Sequence, residues 1–142
     1  MKYIDILDAA IQLVVTALPS VEFRGRVLPV QVSDSLPPVD DLMPALPCIV
    51  IDVLPGDPGE ASWGGEGMPV RLDLVTLDVE VFAESRAVAS VVSDKLRRVL
   101  HQLPYLADSG ATSVDCPMFS TREDLNPHVR VLGATCDIIA RG

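Results

Sequence analysis

A chain of 142 residues and 15.2 kDa is the size of one domain, long enough to bury roughly 68 to 70% of its unfolded surface without help from disulfides or metals. Eleven basic against twenty acidic residues give a formal charge of -9, which excludes ordinary sequence-independent DNA binding, because that depends on lysine and arginine neutralising phosphates. Hydrophobic residues make up 49% and mean hydropathy is +0.34, yet no apolar run approaches the roughly 18 residues of a membrane helix, so the surplus apolar surface points to contact with other copies of the chain.

At the start, Ile4, Leu7, Ile11, Val14, Val15 and Leu18 recur at three- and four-residue steps and predict one amphipathic helix from Tyr3 to Leu18, ended by Pro19. Asp5, Asp8 and Gln12 interrupt the apolar core that a secretory signal requires, so this segment reads as a folded helix. "VEFRGRV", Val21 to Val27, alternates weakly and reads as a first strand with Gly25 as its bulge. Five prolines and three aspartates between Leu28 and Pro47 predict a long ordered loop or arm, through fixed φ and missing amide donors.

"CIVIDVL", Cys48 to Leu54, is short, β-branched and almost continuously apolar, the pattern of a central strand buried on both faces. Pro55 to Gly67 carries five glycines, two prolines and Trp63. Loops longer than about 12 residues are usually functional or disordered, and a tryptophan there suits a partner contact.

From Arg71 the pattern alternates: Val75, Leu77, Val79, Val81 and Ala83 fall on one side of a strand, Thr76, Asp78 and Glu80 on the other. Ser85 then caps a helix whose apolar stripe is Val88, Val91, Val92, Leu96, Val99, Leu100 and Leu103. Lys95, Arg97 and Arg98 sit in its C-terminal half, where cations are favoured, and Pro104 stops it.

The last third reads as a hairpin of Thr112 to Thr121, the polar turn "REDLNP", and His128 to Ala140. Its last strand switches buried phase from Val129 and Val131 to Leu132, Ala134, Cys136 and Ile138, with Gly133 as the natural bulge. The element order implies an α+β fold in a single domain spanning 1–142: a mixed, mainly antiparallel sheet of four to five strands with two helices packed on one face, and long loops at 28–47 and 55–69.

Candidate chemistry is sparse. Asp78 and Glu80 share a strand face, roughly 6.5 to 7 Å apart, the spacing of an acid and base pair, but nothing in the sequence encloses that face to split their pKa values, which favours a solvated surface. "EASWG" around Ser62 approaches the G-x-S-x-G nucleophile elbow, but Glu60 occupies the place of the first glycine, no helix pattern follows, and His101 and His128 are the only candidate bases.

Cys48, Cys116 and Cys136 form no C-x-x-C pair and have no zinc-ligand spacing, so they read as buried free thiols suited to a reducing compartment. The aspartates lack the calcium-loop pattern. The glycine-rich loop has no G-K-[ST], and Glu60 and Glu66 would repel a phosphate. Neither a metal nor a cofactor is expected. With Tyr3, Phe23, Trp63, Phe82, Tyr105 and Phe119 the only aromatics, stacking platforms for single-stranded nucleic acid are scarce.

The N-terminal amphipathic helix, "CIVIDVL", "VTLDVEVFAES" running into "RAVASVVSDKLRRVLHQLP", and the closing "STREDLNPHVRVLGATCDIIA" together resemble the tail terminator proteins of long-tailed bacteriophages. The resemblance spans nearly the whole chain and rests on element order, length and the strand-to-helix signature. It implies a small structural virion protein without enzymatic activity, assembled in the host cytoplasm. Such a protein forms a hexameric ring on the tail tube protein, ends its polymerisation and meets the head connector or stopper.

Under that resemblance Asp78 and Glu80 face an acidic lumen through which DNA slides without specific binding. Trp63 and Met68 are the expected contacts for tube or connector, and Arg86, Arg97 and Arg98 are expected to pair with acidic neighbours, against the plainer reading of an ordinary helix surface. The rival readings are a head-tail connector or completion protein of the neck, a small hydrolase using Ser62 or the Asp78 and Glu80 pair, and a soluble ligand-binding α+β module.

Overall fold

A computed structural model describes residues 2–54, 72–106, 109–124 and 127–141. Ser62, Trp63 and Met68, with the loop expected at 55–69, therefore lie outside the described residues. The fold is α+β, and its sheet is mainly antiparallel.

The first helix, α1 (Lys2–Ala17), buries Ile6, Ala10, Leu13 and Val14, which stand at i, i+4, i+7 and i+8 on one face. That face is rotated from the expected one: Leu7 and Ile11 are only partly buried and Val15 is exposed. Apolar side chains cover a wide arc of this helix, and contact with the neighbouring helix and sheet selects which part of the arc is dry.

β1 (Ser20–Phe23) and β2 (Arg26–Pro29) form a separate antiparallel hairpin. Gly25 is not a bulge. It shares a two-residue turn with Arg24, both at positive φ, 78° and 51°, which matches the right-handed twist of the flanking strands.

The proline-rich segment is more ordered than a loop, since it holds β3 (Gln31–Ser33) and the short helix α2 (Val39–Ala45). Asp40 and Asp41 sit in the first turn of α2, where the helix dipole favours carboxylates. Pro44 stands so near its end that few amide hydrogen bonds are forfeited.

The six-stranded sheet runs β3, β4 (Cys48–Val53), β5 (Leu72–Ala83), β8 (Arg130–Arg141), β6 (Ala111–Asp115), with β7 (Ser120–Thr121) also on β8. Among the described residues only β3 and β4 pair in parallel. β4 is second from the edge, not central, and its far end is exposed at Asp52. The expected hairpin survives as β8 paired to two short strands, β6 and β7, separated by the irregular residues 116–119.

Beside α1, on the same face of the sheet, lies α3 (Arg86–Leu100), capped by Ser85, whose hydroxyl accepts from the Val88 amide at 3.2 Å. The helix ends before Pro104, which lies instead in a 3-10 turn, Leu103–Tyr105. Both long helices cover one sheet face, and the main core fills the space with Ile49, Ile51, Val75, Leu77, Val79, Val81, Cys136 and Ile138 from the strands.

The opposite face has a smaller core of its own. Leu42 of α2 closes over Cys48, Phe82, Val129 and Val131. This explains the phase switch in β8 without a bulge, since its register against β5 is continuous from Arg130 to Arg141. Val131 faces the second core, and Ala134, Cys136 and Ile138 face the first side of the sheet.

Candidate functional site

Beyond the small second core, the same sheet face turns acidic. Alternation puts Asp52 of β4, Asp78 and Glu80 of β5, Asp137 of β8 and Asp115 of β6 on this side. Asp52 stands directly opposite Asp78, and Asp115 directly opposite Asp137. Facing carboxylates of this kind destabilise a sheet unless something offsets them.

Arg122 is the main offset. From the segment after β7 its side chain crosses β8 and binds Asp78 through both guanidinium nitrogens, Nη2 to Oδ1 at 2.8 Å and Nη1 to Oδ2 at 3.1 Å, while Nη1 also meets Glu80 Oε2 at 3.3 Å. The fork geometry of arginine suits this bidentate contact. The hydrogen bond to Asp78 leads in pushing the Arg122 pKa up, against a smaller opposing effect of burial.

The crossing requires a glycine beneath it. A Cβ at Gly133 would collide with Nε, Cζ and Cδ of Arg122, and Gly133 stands opposite Glu80 in the register. The glycine that the sequence suggested as a bulge is instead the point where a side chain approaches the backbone closely.

The remaining acids have weaker partners. Thr76 Oγ1 donates to Asp137 Oδ1 at 3.1 Å, and the Val53 amide donates to Asp52 Oδ1 at 2.8 Å. Asp52, Asp115 and Asp137 are exposed, so the face keeps a net negative charge.

Of the expected interface arginines, two are engaged within the chain. Arg86 donates from Nη2 to Asp124 Oδ2 at 3.2 Å and from Nη1 to Thr121 Oγ1 at 3.3 Å. Arg97 donates from Nε to the Cys116 carbonyl at 2.7 Å. Arg98 is exposed and has no ion-pair partner among the described residues.

Asp124 gathers the connection into β8. It accepts from Arg130 Nη1 at 2.7 Å and from the Val131 amide at 3.3 Å. The Arg130 hydrogen bond leads in holding its carboxyl below the usual range, with the Val131 amide and the charges of Arg86 and Arg130 acting the same way against burial.

No protein-family model and no curated protein matches the chain. What the site can do is therefore argued from its geometry. Asp78 and Glu80 are both tied to one cation, Arg122, which makes them parts of a clamp across the sheet.

His101 caps the end of α3, with Nδ1 2.9 Å from the Arg97 carbonyl. A cleft of about 320 Å³ lies between the β1–β2 hairpin and the start of α3, lined by Phe23, Arg26, Leu28, Leu46, Glu84 and Val88 among others. Among the described residues no group of three or more His, Cys, Asp or Glu side chains is placed to hold a metal, and no helix is long and apolar enough to cross a membrane.

Sequence reasoning placed Asp78 and Glu80 on the right face but missed Arg122, Asp124 and the partnership of Asp52, Asp115 and Asp137. Strand alternation could have found Asp52 and Asp137. Arg122 lies in an irregular segment, and its only sequence trace is the isolated glycine in β8 that makes room for it.

Proposed function

We propose that this chain is a ring-forming structural protein of a phage neck, a tail terminator that caps the tail tube, ends its polymerisation, joins it to the head connector and lets DNA pass. It catalyses no reaction in this role. The observation that carries the reading is the sheet face bearing Asp52, Asp78, Glu80, Asp115 and Asp137 with Arg122 as the cation paired to it. Lining a channel, that face would repel phosphate and keep sliding DNA from sticking.

Two further features support assembly into a ring. Among the described residues β3 and β6 end the sheet without a second partner, and open edges invite pairing with another chain. Tyr105 and Met118 are 87% and 74% exposed, and the turn carrying Tyr105 packs against β6. The β3 and β6 ends of the sheet differ, as a head-to-tail contact needs, and repetition of such a contact gives a ring where its rotation closes.

The test is assembly. The purified protein, alone and mixed with tail tubes, is measured for mass in solution and imaged by negative stain. Rings seated on tube ends, with tube growth arrested, are expected. Tubes that keep growing uncapped at excess protein overturn the reading.

A further inference from the structure

The pair Cys116 and Cys136 has no part in the acidic face. Asp115 of β6 is opposite Asp137 of β8, so the next antiparallel position places Cys116 opposite Cys136. Both side chains are buried in the main core, at 1% and 0% exposure, and the Cys136 thiol donates to the Cys116 sulfur at 2.6 Å. That is closer than two nonbonded sulfurs ordinarily sit, on adjacent chain segments already held in register.

We propose that Cys116 and Cys136 are a dithiol that closes into an intrachain disulfide when the protein meets a peroxide-class oxidant. Disulfide bonds need opposed side chains at short range, and a pair that needs backbone movement to meet seldom closes. Here strand pairing brings the sulfurs together, and the segment that must yield to admit a small oxidant is short. Cys116 lies just beyond the end of β6, beside the exposed Pro117 and Met118.

The chemistry balances with hydrogen peroxide. The Cys116 thiolate attacks one peroxide oxygen, the O–O bond breaks, and the departing hydroxide takes up a proton to become water, leaving a sulfenic acid. The Cys136 sulfur then attacks the Cys116 sulfur and gives up its proton, the S–O bond breaks, and a second water leaves. Two thiols lose two protons and two electrons, and the peroxide takes up both to become two waters.

Cys116 is the better nucleophile of the two. The hydrogen bond from Cys136 lowers its pKa, with the nearby Arg97 charge acting the same way against burial, while Cys136 is pushed up by that same bond and by burial. Cys48 belongs to the second core on the other side of the sheet, where burial pushes its thiol up to about 11. It serves as an internal control.

The inference does not depend on the ring reading, and its test needs no phage component. The full chain is purified with reductant, desalted, treated with hydrogen peroxide while folded, then denatured and assayed for free thiols and by non-reducing peptide mapping. The expected result is a fall from three thiols to one, a linked peptide pair containing Cys116 and Cys136, recovery with dithiothreitol, and the same closure in Cys48→Ser.

Three surviving thiols overturn the proposal. So do loss of thiols as sulfinic or sulfonic acids and linkage through Cys48 or between chains. The mapping is made on the unaltered protein, so a folding failure of Cys116→Ser or Cys136→Ser leaves the outcome decisive.

Discussion

Arg122 lies directly over Gly133, and the missing side chain of the glycine is what lets the guanidinium reach Asp78 and Glu80 across β8. One residue supplies the charge and the other supplies the passage. The most acidic part of the sheet is thus held together by a cation from a segment without regular structure.

Removing that cation should unmask repulsion. Arg122→Ala is expected to destabilise the fold by about 1 kcal/mol, a value discounted from buried charge-assisted bonds because the side chain is 30% exposed. The loss should shrink at high salt, which screens the facing carboxylates. Urea denaturation at low and high ionic strength reads both, and an unchanged midpoint would show the clamp to be ornamental.

A Cβ at position 133 should act through Arg122 and not by itself. Gly133→Ala is expected to cost about as much as Arg122→Ala, roughly 1 kcal/mol, and nearly nothing when Arg122 is already alanine. A double-mutant cycle measures the coupling. Additive effects would show that the strand backbone, and not the crossing side chain, requires glycine.

The cap of α3 gives a simpler expectation. Ser85→Ala removes the acceptor for the Val88 amide and should lower stability by about 1 kcal/mol, with Ser85→Asp largely restoring it. Thermal or urea unfolding followed by far-ultraviolet circular dichroism checks the pair.

Acid should weaken the connection into β8. The Asp124 carboxyl is held below its ordinary range, so its contribution is present above the unfolded-state pKa and is lost as pH falls through the folded one. The loss should set in as pH falls through the ordinary carboxylate range and be complete only below it. Asp124→Asn should be less stable at neutral pH and show a shallower decline in that window, and an acid limb identical to that of the unaltered protein would contradict it.

Charge reversal on the exposed acids tests the proposed channel. Asp52→Lys with Asp137→Lys should leave the core intact, because both positions are exposed. In assembled rings the double variant should retain duplex DNA at low salt and release it as salt rises, while the unaltered protein retains none. Equal DNA retention by both proteins, measured by gel mobility, would remove the lumen from the argument.

How much of this was legible beforehand differs between elements. The alternation of β5 and the stripe of α3 are local patterns repeated over many residues, and both appear where the sequence predicts them. The buried face of α1 is not legible in the sequence, because its apolar arc is wider than the surface it meets. The proline-rich segment predicts a loop because single prolines weigh heavily in a short window, yet Pro29 ends β2, Pro38 precedes α2 and Pro44 stands in its last turn.

By itself, the sequence determined an acidic α+β fold with Asp78 and Glu80 on the polar side of a long strand. Periodicity and backbone stereochemistry act over a few residues and need no distant partner. Tertiary structure alone decided that Leu42 would close a second core on Val131 and that Arg122 would cross Gly133 to Asp78. Leu42 and Val131, like Arg122 and Asp78, stand more than forty residues apart, and the energies of these contacts depend on which strands become neighbours, which no local pattern encodes.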